Sequence, residues 1–208
     1  MPNRMSAREL TELSQAFAYL GNTLLAPLSR TSDVGLDPAF WEAFPTFGDA
    51  AVERACDSCA HVCRVLADGA DALQRADVEY AHLFVGPPKP AVPPWETAYR
   101  TDGGVGFGQA AVDVRRTLAR LGLAVRNENN QYADHMGLEL LCLSELCART
   151  AAGDERTAAL LGPFVREHPA GWAGEFARRV RDERPDGYYA GVAAVAEALL
   201  GVVLARLA

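Results

Sequence analysis

The sequence predicts an all-α protein. Apolar residues recur three and four positions apart over most of its 208 residues, helix-capping side chains precede these runs, and signals typical of β-strands are missing. Half of the residues are hydrophobic and 23% are charged, which is ordinary for a globular protein. We therefore expect residues 1–208 to form a single-domain helical bundle that needs neither disulfides nor metal to fold.

Four helices are expected in the first half of the chain. Ser6 and Glu9 form the capping box that begins the first helix, and apolar residues such as Phe17 follow at helical spacing. Asp37 and Asp49 are the N-cap residues of the second and third helices. The expected spans are Ser6 to about Leu24, Asp37 through Phe44, Asp49 to about Ala67, and Asp71 to Phe84.

A Pro/Gly-rich segment follows at about residues 86–108. No helix survives such a density of proline and glycine, and a loop of this length is usually functional or a linker. We expect an exposed loop in an otherwise helical chain. Its prolines are Pro87, Pro88, Pro90, Pro93 and Pro94, and its glycines are Gly86, Gly103, Gly104, Gly106 and Gly108.

The second half is expected to hold five helices around a buried centre. The helix from about Asn130 to just before Gly153 carries apolar residues around most of its circumference, which is typical of the central helix of a bundle. Gly122 ends the helix before it. The other spans are Gln109 to Leu121, Asp154 to about His168, about Ala170 to Glu183, and about Asp186 to the end.

Charge and cysteine content narrow the function classes. A net charge of −7 makes the chain a poor candidate for nucleic-acid binding, which needs clustered Lys and Arg. Five cysteines cannot all pair within one chain, and no secretory signal is evident at the N-terminus, so we expect reduced thiols in the cytoplasm. Residues 188–208 are almost wholly apolar, but Glu197 lies in their middle, so we expect a buried helix rather than stable membrane insertion.

Two clusters of metal-ligating residue types have a simpler interpretation. The first lies on one face of the third helix, where buried cysteines pack as small hydrophobes. The second lies on one face of the central helix, and no second histidine completes a zinc-peptidase motif. The clusters are Cys56, Cys59 and Cys63, and His135, Glu139 and Cys142. We favour packing and hydrogen bonding; the alternative is a metal- or redox-dependent enzyme that uses His135, Glu139 and the cysteine helix at 56–63.

Nucleotide binding and nucleophilic catalysis have little support in the sequence. The glycines before Gln109 follow no predicted β-strand, so the dinucleotide fingerprint fails. Neither a Gly-Lys-Ser/Thr phosphate loop nor a Gly-x-Ser-x-Gly elbow occurs. We therefore expect no catalytic residues, no cofactor and no metal.

Four segments carry a resemblance to a known family. They are EYAHLFVGP at residues 79–87, PPWETAY at 93–99, ADHMGLEL at 133–140, and HPAGW at 168–172 with Phe176 and Tyr188-Tyr189 beyond it. In this order, and over roughly residues 10–205, the chain resembles the TorD/DmsD/NarJ-type redox-enzyme maturation chaperones. Ala133 stands where the family commonly has proline and Thr97 where it often has serine, so the subfamily stays open.

The resemblance implies a cytoplasmic, all-helical, non-enzymatic chaperone. Members of the family bind the twin-arginine signal peptide of a molybdopterin oxidoreductase, and often its catalytic subunit. They hold back export until the molybdenum cofactor has been inserted. We expect a monomer mainly, with some domain-swapped dimer. A small helical adaptor with an unrelated client is a further alternative.

We expect the peptide to bind where aromatic and acidic side chains meet. Apolar residues at the edge of the loop would hold the apolar stretch of the signal peptide, and carboxylates would pair with its arginines. In the alternative interpretation Leu83 and Phe84 belong to the core, and Asp134 and His135 pin the loop through hydrogen bonds. The candidate peptide- or client-binding residues are Glu79, Tyr80, Leu83, Phe84, Gly86, Pro94, Trp95, Glu96, Tyr99, Asp134, His135 and Glu139.

Overall fold

The structure, a computed structural model, describes residues 5–69, 71–100, 108–125 and 131–208. These residues contain nine α-helices and no β-strand, which confirms the all-α prediction. Buried apolar side chains from all nine helices form one cluster. The helices are α1 (Ala7–Leu25), α2 (Pro38–Glu42), α3 (Ala50–Ala67), α4 (Ala72–Tyr80), α5 (Gln109–Arg120), α6 (Met136–Ala151), α7 (Glu155–Glu167), α8 (Ala173–Glu183) and α9 (Tyr188–Leu207).

The predicted caps begin the first three helices. The amide of Glu9 donates to Ser6 Oγ at 3.2 Å, and the Glu9 carboxylate accepts from the Ser6 amide at 2.8 Å, so the capping box is complete. Asp37 caps α2 through the amide of Ala39, and Asp49 caps α3 through the amides of Ala51 and Val52. A single π-helical turn, Ala81–Val85, continues α4, so the helix expected through Phe84 is also present.

Helices α1 and α6 pack along each other and form the centre of the bundle. A Cβ atom on Gly137 would lie 2.6 Å from the carbonyl oxygen of Gly21, and one on Gly21 would lie 2.8 Å from that of Gly137. The two backbones therefore cross at a distance that only glycine permits on both sides. Most of α6 is buried, as its apolar circumference predicts.

Helix α6 begins at Met136, six residues later than the predicted start near Asn130. His135 is its N-cap, and the amide of Met136 donates to the carbonyl of Pro94 at 2.8 Å. Residues 133 and 134 form a turn and His135 forms a β-bridge with Trp95, so this segment is not helical. Residues 126–130 lie outside the described part of the chain.

Helix α9 is long and apolar enough to cross a membrane, with a mean hydropathy of 1.9. In the structure it packs against α3 and α8, and 56% of its most apolar window is buried inside the protein. A Cβ atom on Gly191 would lie 2.5 Å from Cys59 Sγ, so α3 and α9 approach closely through a glycine and a thiol. This arrangement is that of a core helix, as the sequence predicts.

The Pro/Gly-rich loop is only partly exposed, contrary to the prediction. Residues 92–97 run through the protein interior: Val92, Glu96 and Thr97 are buried, and the amide of Val92 donates to the carbonyl of Leu83 at 2.9 Å. A 3₁₀ turn, Glu96–Tyr99, forms inside this segment. The loop's glycines at 103, 104 and 106 lie outside the described residues.

Candidate functional site

Two of the singled-out segments meet at the start of α6. Trp95 and His135 form an antiparallel β-bridge, and the amide of Glu96 donates to the carbonyl of Asp134 at 2.9 Å. The loop residues at 94–99 are therefore fixed to the N-terminal end of the central helix. Trp95, Glu96, Asp134, His135 and Glu139, which the sequence proposes for one site, do come together here.

Asp134 holds the loop in place from inside the protein. It is fully buried, and its Oδ2 accepts from the Thr97 amide at 3.1 Å and from the Thr97 hydroxyl at 2.5 Å. Its Oδ1 has no hydrogen-bond partner. The pinning alternative matches these contacts, which leave no exposed carboxylate oxygen of Asp134 for an arginine of a peptide.

His135 combines a cap with a buried neutral ring. Its Nδ1 accepts from the Gly137 amide at 3.0 Å, so the ring's proton is on Nε2, which has no partner. Complete burial lowers the pKa of His135 to about 3. The imidazole is therefore uncharged at neutral pH and offers no charged group to a peptide.

Glu96 binds two basic side chains below the surface. Glu96 is fully buried, and its Oε2 lies 2.9 Å from Nδ1 of His168. Its Oε1 accepts from the guanidinium of Arg100, which also donates to the carbonyl of Glu167. The carboxylate is thus shared between an interior imidazole and a guanidinium that reaches in from the surface.

Glu139 completes the buried polar cluster. Its Oε2 accepts from the indole N–H of Trp172 at 3.0 Å, and its Oε1 has no hydrogen-bond partner. Burial, and then the negative charges of Glu96 and Asp134, raise the pKa of Glu139 well above its usual value. The neutral acid is therefore favoured, because three carboxylates share this dry interior.

The remaining predicted residues belong to the core on the side of α4. Glu79 accepts from the amides of Tyr188 and Tyr189 at 3.1 and 3.0 Å, so it caps α9. Burial raises the pKa of Glu79 above its usual value, and the hydrogen bonds from the two backbone amides offset part of this rise. Leu83 and Phe84 are buried, so the prediction that they present an apolar surface is wrong and the core alternative matches the structure. The candidate Tyr80 is buried as well.

Phe176 connects these two groups of predicted residues. Its ring lies 5.8 Å from that of Phe84 and 6.3 Å from that of Tyr99. Gly86 turns the chain between them with a φ of 94°, which favours glycine. Pro94 is also buried. Phe84, Phe176 and Pro94 therefore belong to the interior, whereas Gly86 and Tyr99 are half-buried.

Trp95, like Tyr99, is a predicted aromatic anchor that stays partly exposed. Its indole N–H donates to Gln131 at 3.2 Å, and its ring lies 6.5 Å from that of Tyr132, which is 40% exposed. Beside Gln131 a groove of about 360 Å³ is lined by Leu118, Leu123 and Val125. This Trp95–Tyr132 edge and its groove are where the site meets solvent.

The structure does not bring His135, Glu139 and a cysteine together as a metal site, as the enzyme alternative requires of the described residues. Among the described residues, the group whose ligand atoms all lie within 4.8 Å is Glu96, Glu139 and His168, without His135 or a thiol. Both oxygens of Glu96 already have donors, so a metal ion would have to displace His168 or Arg100. The cysteines of α3 are free and buried, and burial raises the pKa of Cys56 and Cys63 to about 11.

Sequence reasoning missed four residues of this site. Thr97, Arg100, His168 and Trp172 contact the predicted acids but were not proposed as site residues. His168 and Trp172 stand four positions apart in one of the four recognised segments, and this spacing was the available signal. Arg100 follows Tyr99 directly and carries no signal that distinguishes it from the other arginines.

The fold and the site define an all-helical protein in which a partly exposed aromatic edge adjoins a buried polar cluster. The profile of the family described as nitrate reductase delta subunit matches residues 35–178. Because that match covers more than half of the chain, the protein belongs to this family, which includes the NarJ-, TorD- and DmsD-type chaperones.

Relatives of the chain are chaperones by name. It is 30% identical over 118 residues to the probable Tat proofreading chaperone DmsD of Haemophilus influenzae, a match that covers 56% of this chain and 55% of the relative. It is 26% identical over 188 residues to the chaperone protein TorD of Photobacterium profundum, covering 88% and 80%. A TorD of Aliivibrio fischeri is 27% identical over 127 residues, covering 59% of each. The chain thus spans little more than half the length of two of these relatives.

Proposed function

We propose that this protein is a cytoplasmic, non-enzymatic chaperone for a molybdopterin oxidoreductase. It would bind the twin-arginine signal peptide of that enzyme, or its catalytic subunit, and delay export until the molybdenum cofactor is inserted. Family membership and the Tat proofreading function named for one relative support this proposal. The chain would act as one domain, as a monomer mainly with some domain-swapped dimer, and without a cofactor of its own.

One observation carries the proposal within the structure. Trp95 is held by a β-bridge at the start of α6, yet part of its ring faces solvent beside Tyr132. Tryptophan and tyrosine are favoured interface anchors because they are large and lose little conformational entropy on binding. The adjoining groove is lined by both apolar and polar side chains, and its apolar ones would contact the apolar stretch of a signal peptide. They are Leu118, Leu123 and Val125, beside Arg115 and Gln131.

Trp95 also provides a direct assay. Trp41 and Trp172 are 1% and 3% exposed, so a change in tryptophan emission on adding peptide reports mainly on Trp95. The probe is a synthetic leader peptide, with an arginine pair followed by an apolar stretch, from a molybdopterin oxidoreductase of the same organism. We expect the emission of the wild-type protein to shift to shorter wavelength and the shift to be absent in Trp95→Phe.

Affinity measurements then separate Trp95 from a general surface effect. Truncation of an anchor costs about 2 kcal/mol, so Trp95→Ala should weaken binding of a labelled leader peptide about 30-fold. Val78 is a matched control, since it is 62% exposed on α4, and Val78→Ala should bind normally. Circular dichroism checks the fold of each variant. Unchanged affinity in a folded Trp95→Ala would contradict the proposed edge, and no binding by the wild type would contradict the proposed function.

A further inference from the structure

We propose that Glu96 is the subsite for an arginine of the client peptide, and that Arg100 of the chain itself occupies this subsite in the free protein. The inference rests on the proposed function and deepens it. It identifies which buried acid recognises the arginine, and it assigns to Arg100 the role of an internal competitor that the peptide displaces.

The contacts of the four candidate acids distinguish Glu96 from the rest. Both oxygens of Glu79 accept from backbone amides at the start of α9. Asp134 accepts from Thr97, and Glu139 accepts from the indole of Trp172. These three carboxylates serve the fold. Glu96 is the one among the four whose partner is a guanidinium, so its geometry already selects the group that a twin-arginine peptide presents.

Arg100 approaches Glu96 from solvent. The side chain of Arg100 is 45% exposed, whereas that of Glu96 is 0% exposed. The guanidinium also donates to the backbone carbonyl of Glu167, so the subsite offers one carboxylate oxygen and one carbonyl oxygen. Both bonds come from one nitrogen of Arg100, Nη2, so the rest of the guanidinium is not used by these two acceptors.

Among the described residues, a cleft borders Arg100 and His168, the two partners of Glu96. It has a volume of about 480 Å³ and is lined by Thr97, Arg100, Asp113, Arg166 and His168 among others. If Arg100 swings out, an arginine of the peptide can take its place without leaving Glu96 uncompensated, because one guanidinium replaces another. His168 stays on the second oxygen of Glu96 throughout.

The subsite lies within reach of the aromatic edge. Trp95 and Arg100 are five residues apart in the chain, so their backbones are separated by at most about 18 Å. Five or six residues of an extended peptide cover that distance. A single leader peptide can therefore place an arginine at Glu96 and apolar residues beside Trp95.

If Arg100 competes with the peptide, then removing Arg100 should strengthen peptide binding rather than weaken it. Arg100→Gln empties the subsite, so the leader peptide should bind more tightly, by about tenfold if Arg100 fills the subsite nine-tenths of the time. Arg64→Gln is the matched control, because Arg64 forms a surface pair with Glu42 and its loss changes the net charge equally. Arg64→Gln should leave the affinity unchanged. Arg100→Lys should fall between wild type and Arg100→Gln.

The reciprocal test removes the acid. Glu96→Gln should weaken binding of the arginine peptide, and should have much less effect on a peptide whose arginine pair is replaced by glutamines. Thermal unfolding checks each variant; if Glu96→Gln does not fold, the Arg100 variants still test the inference. Unchanged or weaker binding in a folded Arg100→Gln overturns it. Failure of the proposed function looks different, since the wild-type protein would then neither bind the leader nor change its Trp95 emission.

Discussion

Asp134 provides a quantitative test of how the loop is fixed to the central helix. Asp134→Ala removes the acceptor for both the amide and the hydroxyl of Thr97. A hydrogen bond to a charged group contributes about 1.5–3 kcal/mol, and the two bonds share one carboxylate. We expect Asp134→Ala to lower the free energy of unfolding by about 3 kcal/mol, a large share of a typical total of about 5–15 kcal/mol.

Two further variants divide this loss. Asp134→Asn keeps an acceptor oxygen and the shape of the side chain, so it should cost only about 1 kcal/mol. Thr97→Val removes the hydroxyl alone and should cost a similar amount. In the double variant Asp134→Ala/Thr97→Val the losses should not add, because both changes break the same bond.

Urea unfolding followed by circular dichroism at pH 7 measures the wild type and all four variants. The slope of the free energy against urea should stay constant, since the surface exposed on unfolding does not change. A loss below about 1 kcal/mol for Asp134→Ala, or strict additivity in the double variant, would refute the pinning role of Asp134.

Three further predictions concern the fold and its titration. Gly137→Ala should lower stability in thermal unfolding by about 1–3 kcal/mol, because the new Cβ atom would meet the backbone of α1. Gly201→Ala in α9 should raise stability by up to about 1 kcal/mol, because the space around this position is open. Below about pH 6.5 His135 is protonated in the unfolded chain, whereas in the folded protein it stays neutral down to about pH 3. The free energy of unfolding should therefore decrease as the pH is lowered, by up to about 1.4 kcal/mol per pH unit. His135→Asn retains an acceptor for the cap and should show a shallower pH dependence in urea unfolding across pH 4–7. Replacing the three cysteines of α3 together by alanine should leave leader binding unchanged and lower stability. Their role as core residues would be contradicted if the wild type held stoichiometric zinc or iron and this variant did not.

The positions of the helices could be predicted from the sequence because their signals are local. Ser6, Asp37 and Asp49 each cap a helix through amides two or three residues away, and the structure has all three caps. The buried position of α6 follows from its own apolar circumference. The resemblance to the chaperone family is likewise carried by short segments, and the family is confirmed.

The start of α6 is the exception among the helices. Residues before His135 have no local signal that forbids a helix, and the extended pairing with Trp95 decides their conformation. That partner lies 40 positions away in the chain. Secondary structure was therefore mispredicted where a contact distant in sequence overrides local preference.

The candidate site divides in the same way. Its acidic and aromatic residue types, and several of its members, were recognisable in the sequence, as was a possible structural role for Asp134 and His135. Only the tertiary structure decides that Glu96 lies against His168 and Arg100, and that Glu139 lies against Trp172. The presence of an acidic residue in a sequence does not show whether its carboxylate faces water or the interior. Its burial, its charge and its availability to a peptide depend on side chains that only folding brings within hydrogen-bonding distance.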